Sequence, residues 1–134
     1  MTVITRSEML PLLVQACPAY AEDWKTFTTD YADDPEPFFY VALAQFSRCL
    51  SRALAEGDRT TMTRVFDLLE RFIVEGDAQV QEAAIVGIVK NLQNASLHER
   101  TTPDDYLPFL RPETGRWWEK VKTFRANNRP IIED

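Results

Sequence analysis

His98 is the chain's one histidine, and it stands in the polar stretch Asn94 to Thr102 with no second histidine or cysteine nearby. A zinc site needs three or four convergent ligands, and the helix-borne His-Glu-x-x-His pattern is absent, so this residue alone supports no metal chemistry. Ser96 shares its segment. Proximity in sequence does not make a nucleophile and its base, which must meet in a pocket. Cys17 and Cys49 are too few for a thiolate cage or a disulfide framework, and both lie among apolar residues, which predicts buried, reduced thiols. The four glycines form no phosphate-binding loop. The expectation is a protein that is not an enzyme and uses no cofactor and no metal.

Two clusters deserve a functional reading. Asp30, Asp33, Asp34 and Glu36 bring four carboxylates together, interrupted by Pro35 and Pro37, without the spacing or the glycine of a calcium loop. Negative charge there suits the start of the following helix. The same carboxylates can also reach into a cationic cleft on a partner, with Trp24 or Tyr31 as an apolar anchor. The second cluster is Arg116-Trp117-Trp118. Adjacent side chains on a helix point about 100° apart. With Trp117, Val121 and Phe124 on one inward stripe, Trp118 is expected at the edge or the surface, where aromatic plus arginine is an interface composition. The candidate partner-binding residues are therefore Asp30, Asp33, Asp34, Glu36, Trp24, Tyr31, Arg116 and Trp118.

Helices must position these residues. Met62, Val65, Phe66, Leu69, Phe72 and Ile73 recur at helical steps, and so do Phe39, Ala42, Leu43, Phe46, Cys49, Leu50, Ala53 and Leu54. Ala83 to Val89 is an unbroken apolar run, but Val80 to Leu92 is long for a strand and reads as a helix buried on most sides. Gly87 inside it costs roughly 1 kcal/mol relative to alanine, which predicts a close helix crossing with no room for a side chain. Residues 8–17 read as a first helix capped by Ser7. Tyr20, Trp24, Phe27 and Tyr31 form an aromatic stripe on a helix opened by Pro18, and Pro112 to about Arg125 is the last helix.

The punctuation repeats. Glu56-Gly57-Asp58 and Glu75-Gly76-Asp77 each follow one apolar stripe and precede another. In both, glycine is expected to end a helix in the left-handed conformation and aspartate to cap the next helix. The fold class is therefore all-α: a single compact domain over residues 1–128 with about five or six helices, packed as HEAT-like antiparallel hairpins or as a bundle. A loose tail is expected over 129–134.

With 134 residues, 45% of them hydrophobic, the chain has material for one core. No run of 18 apolar residues occurs, and the apolar stretch within Met1 to Leu13 is too short for a secretory signal, so a cytoplasmic location is expected. The net charge of −6 disfavours nucleic acid and anionic membrane as partners. Residues 1–40 hold seven acidic and two basic side chains, a balance of −5, and residues 41–110 hold ten and seven, a balance of −3. Residues 111–134 reverse the sign, with six basic against four acidic side chains, a balance of +2.

The segment Phe66-Asp67-Leu68-Leu69-Glu70-Arg71-Phe72, then Glu75-Gly76-Asp77, then Val86 to Asn94, and after a loop Arg116-Trp117-Trp118, resembles a small all-helical bacterial domain family. That family includes immunity proteins of polymorphic toxin systems, which bind a cognate toxin in the producing cell and block it. The resemblance covers about residues 60–120 and implies a non-catalytic binder. Lys90 stands where the family more often has an acidic residue, so no functional residue is carried over. The expected function is a cytoplasmic immunity protein whose partner is a toxin or toxin domain with a cationic cleft. A generic helical scaffold or adaptor that binds a host protein is the alternative.

Overall fold

The computed structural model describes the backbone of residues 3–30, 39–94 and 101–127, and side chains within 3–25, 39–94 and 101–124. The chain opens with α1 (Arg6–Ala16) and a 3-10 turn (Pro18–Tyr20) that leads into α2 (Ala21–Asp30). Then come α3 (Phe39–Ala55), α4 (Arg59–Glu75) and α5, which spans 78–92. A second 3-10 segment (Pro103–Phe109) precedes α6 (Pro112–Asn127). Among the described residues there is no strand, and the molecule is one compact all-α domain.

α4 lies at the centre because its apolar stripe is wide. Thr61, Met62, Val65, Phe66, Leu68, Leu69, Phe72 and Ile73 are all buried, too many for one flank. The helix packs against α1, α3, α5, α6 and the second 3-10 segment. Each buried Leu or Phe of this kind contributes about 1.5–3 kcal/mol. α3 buries the expected seam from Phe39 to Ala53 and adds Ser47, whose hydroxyl donates to the Leu43 carbonyl at 3.0 Å.

α5 is helical as the sequence implies, with a departure: Ala83–Val89 winds as a π-helix between two short α-helical ends. Gly87 meets α3 there. A Cβ on it would strike the Leu43 side chain and lie 3.3 Å from Tyr40 Cδ1. The expected close crossing is present.

The two Glu-Gly-Asp turns share their caps and differ in their glycines. Asp58 accepts from the Thr61 N–H (3.1 Å) and hydroxyl (2.7 Å), and Asp77 accepts from the Val80 N–H at 2.9 Å. Gly57 has φ +76, and beyond it the Asp58 N–H reaches back to the Ala53 carbonyl at 3.1 Å. Gly76 is not left-handed; it is extended, with φ −79 and ψ 156. The N-terminal segment explains the difference. The Ile4 N–H donates to the Glu75 carbonyl at 3.0 Å, and the Asp77 N–H donates to the Ile4 carbonyl at 3.2 Å, forming a parallel bridge. Glycine serves here by its lack of a side chain, since a Cβ would run into the Phe72 carbonyl and lie 2.8 Å from Val80 Cβ.

α1 starts two residues earlier than expected and is capped by Thr5 rather than Ser7. The Thr5 N–H and hydroxyl both donate to Glu8 Oε1, at 3.0 and 2.9 Å. α6 departs from the expected face in part: Val121 is buried as expected, but Thr114 and Trp118 are buried with it, whereas Trp117 and Phe124 are half-buried. The tail assigned to 129–134 and the helix stripe positions Phe27 and Tyr31 lie outside the residues whose side chains are described.

Candidate functional site

The α3–α4 turn and the second 3-10 segment enclose a cleft of about 220 Å³. Each wall follows from local chemistry. Gly57 turns the chain, so Leu54 at the end of α3 and Met62 in the first turns of α4 face the same space. The 3-10 segment is held at its start by the Thr102 N–H donating to Asp105 Oδ2 at 2.9 Å. Its far end brings Pro108 and Phe109 to the floor, and Phe109 stacks on buried Phe66 with centroids 6.3 Å apart and planes at 22°.

The floor is apolar and the rim is charged. Asp58, Arg59, Thr101 and Asp105 line the opening. Hydrogen bonds from the Thr61 hydroxyl and N–H hold the Asp58 carboxyl below its ordinary value, so it is ionised at neutral pH. Glu56 and Asp104, both exposed, are the chain neighbours of the lining residues Gly57 and Asp105. Arg59 extends over Phe109, its guanidinium carbon 5.6 Å from the ring centroid. Among the described lining residues, Asp58 and Asp105 stand against Arg59, with Arg64 also near Asp58, so carboxylates rim an apolar floor, an arrangement that can receive a cation carried on an apolar stem.

The sequence singles out other residues. Tyr31, Asp33, Asp34 and Glu36 lie outside the described residues, as does the side chain of Asp30, which occupies the last position of α2. Trp24 is half-buried and packs against the core. Arg116 is exposed and pairs with Glu113 at 3.1 Å. Trp118 is a correction. It is 2% exposed and sits edge-on to buried Tyr106 at 6.1 Å, so in this fold it is a core residue and presents no contact surface. Trp117 takes the edge position, with the Lys120 ammonium 4.3 Å from its ring centroid.

The reason lies in Glu70 on α4. Its carboxylate accepts from the Glu113 N–H (3.1 Å), the Thr114 N–H (2.9 Å) and the Thr114 hydroxyl (2.8 Å). This caps the start of α6 from another helix and turns Thr114 inward, and Trp118 and Val121 share that face at four- and three-residue steps. Nothing local to Trp117 and Trp118 decides between them. The cleft is likewise hard to foresee. The Gly-Asp turn marks one wall, but Pro103–Phe109 has neither a 3.6-residue nor a two-residue period that would announce the other.

Cys17 and Cys49 are both buried and free, as expected. The neighbouring Cys17 and burial push the Cys49 thiol far up, so it stays protonated at neutral pH. His98 and Ser96 lie outside the described residues. Among the described residues no three His, Cys, Asp or Glu side chains converge on a metal-sized site, and no helix is long and apolar enough to cross a membrane.

No curated protein and no solved structure matches the chain. Residues 10–126 match a family described as a domain of unknown function, DUF7674, and since the match takes in most of the molecule, from α1 to α6, the chain belongs to that family.

Proposed function

We propose that this domain is a non-catalytic binding module that docks on a basic surface of a partner protein, in the manner of an immunity protein that occludes a toxin's cationic cleft. The observation that carries the reading is the apolar cleft at the α3–α4 turn with Asp58 and Asp105 on its rim, on a chain of net charge −6. Enzymes that act on nucleic acids or nucleotides use cationic clefts, and an acidic protein gains association rate from the opposed field. A rigid helical body fits the role, since a preorganised surface loses little entropy on docking. The acidic stretch Asp30, Asp33, Asp34 and Glu36 remains a second contact candidate.

The test is co-expression with the C-terminal domain encoded by the adjacent gene, scored for growth rescue and co-purification. Rescue together with a stable complex is the expected result. Two charge-reversed variants then locate the contact: Glu56→Lys with Asp104→Lys at the cleft, and Asp33→Lys with Asp34→Lys at the acidic stretch. The cleft variant is expected to lose more protection. Growth inhibition that persists, with no complex recovered, rejects the immunity role for that pair.

A further inference from the structure

We propose that the cleft is a socket for a single guanidinium side chain, an arginine of the partner protein, and that Arg59 occupies part of it as a resident stand-in. This rests on the binding-module reading and adds the chemistry of the group recognised. Size comes first: about 220 Å³ holds one long side chain, whereas small-molecule pockets start near 300 Å³. The floor is a flat aromatic face. Phe109 is backed by Phe66 at 6.3 Å, so its ring is held in a fixed plane that a planar guanidinium can cover.

The molecule's own guanidinium already points to that face. Arg59 is exposed, forms no ion pair among the described residues, and its guanidinium carbon lies 5.6 Å from the Phe109 centroid, near the outer limit of a cation–π contact. A weakly held resident cation is readily displaced by one that enters with a partner. The rim supplies acceptors. Asp105 takes one N–H from Thr102, and Asp58 takes the N–H and hydroxyl of Thr61, while a carboxylate offers about four acceptor positions. Leu54 and Met62 line the apolar path that the arginine stem would follow. An anion is disfavoured at the same place, because the start of α4 is already capped by the Asp58 carboxylate.

The probe is Nα-acetyl-arginine methylamide, titrated to millimolar concentrations into the full chain labelled for amide NMR. Saturable shifts are expected at Gly57, Arg59, Thr101 and Asp105. Arg59→Ala removes the competing cation and should tighten binding by about two- to fivefold, the scale of one exposed cation–π contact. Phe109→Leu should weaken it by a similar factor, with circular dichroism confirming that the variant folds. The exposed Arg59 change keeps the test decisive even if the Phe109 variant does not. Equal shifts from the corresponding norleucine amide overturn the socket in favour of an apolar groove. Equal shifts from the lysine amide overturn the guanidinium preference, and shifts from inorganic phosphate alone overturn the sign of the ligand. If these shifts fail while the partner complex forms, the socket falls and the module reading stands. If the shifts appear while no complex forms, the module reading falls and the socket stands.

Discussion

Glu70 shows how one side chain sets the register of a distant helix. Burial opposes its ionisation, but bonds from the Thr114 and Glu113 N–H groups and the Thr114 hydroxyl, with Arg111 nearby, outweigh it and hold the carboxyl below its ordinary 4.5. A depressed carboxyl stabilises the fold fully above the unfolded pKa, and that contribution is lost as pH falls through the lower folded value. Glu70→Ala leaves the buried Thr114 hydroxyl and N–H without their acceptor, a loss of about 1–3 kcal/mol. Glu70→Gln keeps one acceptor oxygen and should lose less. Urea midpoints of the three proteins, measured between about pH 3 and pH 6, should converge toward the acid end; parallel curves would remove Glu70 from this role.

Glycine and cysteine offer two further tests at this scale. Gly87→Ala gains helix propensity of about 1 kcal/mol yet places a methyl against Leu43. Overpacking costs typically 1–3 kcal/mol, so the variant should be less stable than the parent, and a raised melting temperature would mean the crossing is loose. Cys17 and Cys49 should react slowly with a thiol reagent in the folded protein and both react once it is unfolded, because burial shields both and holds the Cys49 thiol protonated. Rapid labelling of either in the native state would contradict the packing of the first 3-10 turn against α3.

At the scale of elements, the helices with wide or regular stripes are legible in the sequence. Phe39 to Ala53 and Met62 to Ile73 bury the residues that their periods select. Gly87 reports its helix crossing because a glycine in an apolar helix has few other reasons to be there. Legibility fails where the deciding partner is far along the chain. Trp117 and Trp118 are equally apolar, and only Glu70, bound to Thr114, picks the inward one. Gly76 looks identical to Gly57 in its tripeptide, but Ile4 pairs beside it and draws it into the extended conformation. The π-helical winding of Ala83–Val89 has no sequence mark, since it leaves the apolar run intact. Asp77, by contrast, is an ordinary cap whose role its spacing to Val80 announces. Asp77→Ala should cost about 1 kcal/mol by thermal denaturation, and an unchanged midpoint would mean that the bridge to Ile4 alone holds the turn.

For the whole molecule, charge carries the functional reading. Among the described residues, the ion pairs Arg52–Asp23 (3.1 Å) and Arg111–Asp67 (3.4 Å) link segments distant in the chain, and these, like Arg71–Glu75 and Arg116–Glu113, are solvent-exposed, so they add little to stability. The acidic surplus is then available to act at a distance. Exposed rim charges act mainly on encounter, and a field of this kind is screened beyond about 8 Å at physiological salt. Glu56→Lys with Asp104→Lys should therefore leave the fold intact, slow association with a basic partner, and reduce the dependence of that rate on salt. The cleft itself is only half legible beforehand, because its Glu56-Gly57-Asp58 wall is a recognisable turn while its Phe109 wall arrives on a segment without a period.

The most direct measurement is the association rate constant of the parent and this double variant with the domain encoded by the adjacent gene, followed across ionic strength. A rate for the parent that falls steeply with added salt, and a slower, flatter profile for the double variant, is the predicted result. Identical rates and identical salt slopes for the two proteins would contradict an acidic docking surface at the α3–α4 turn.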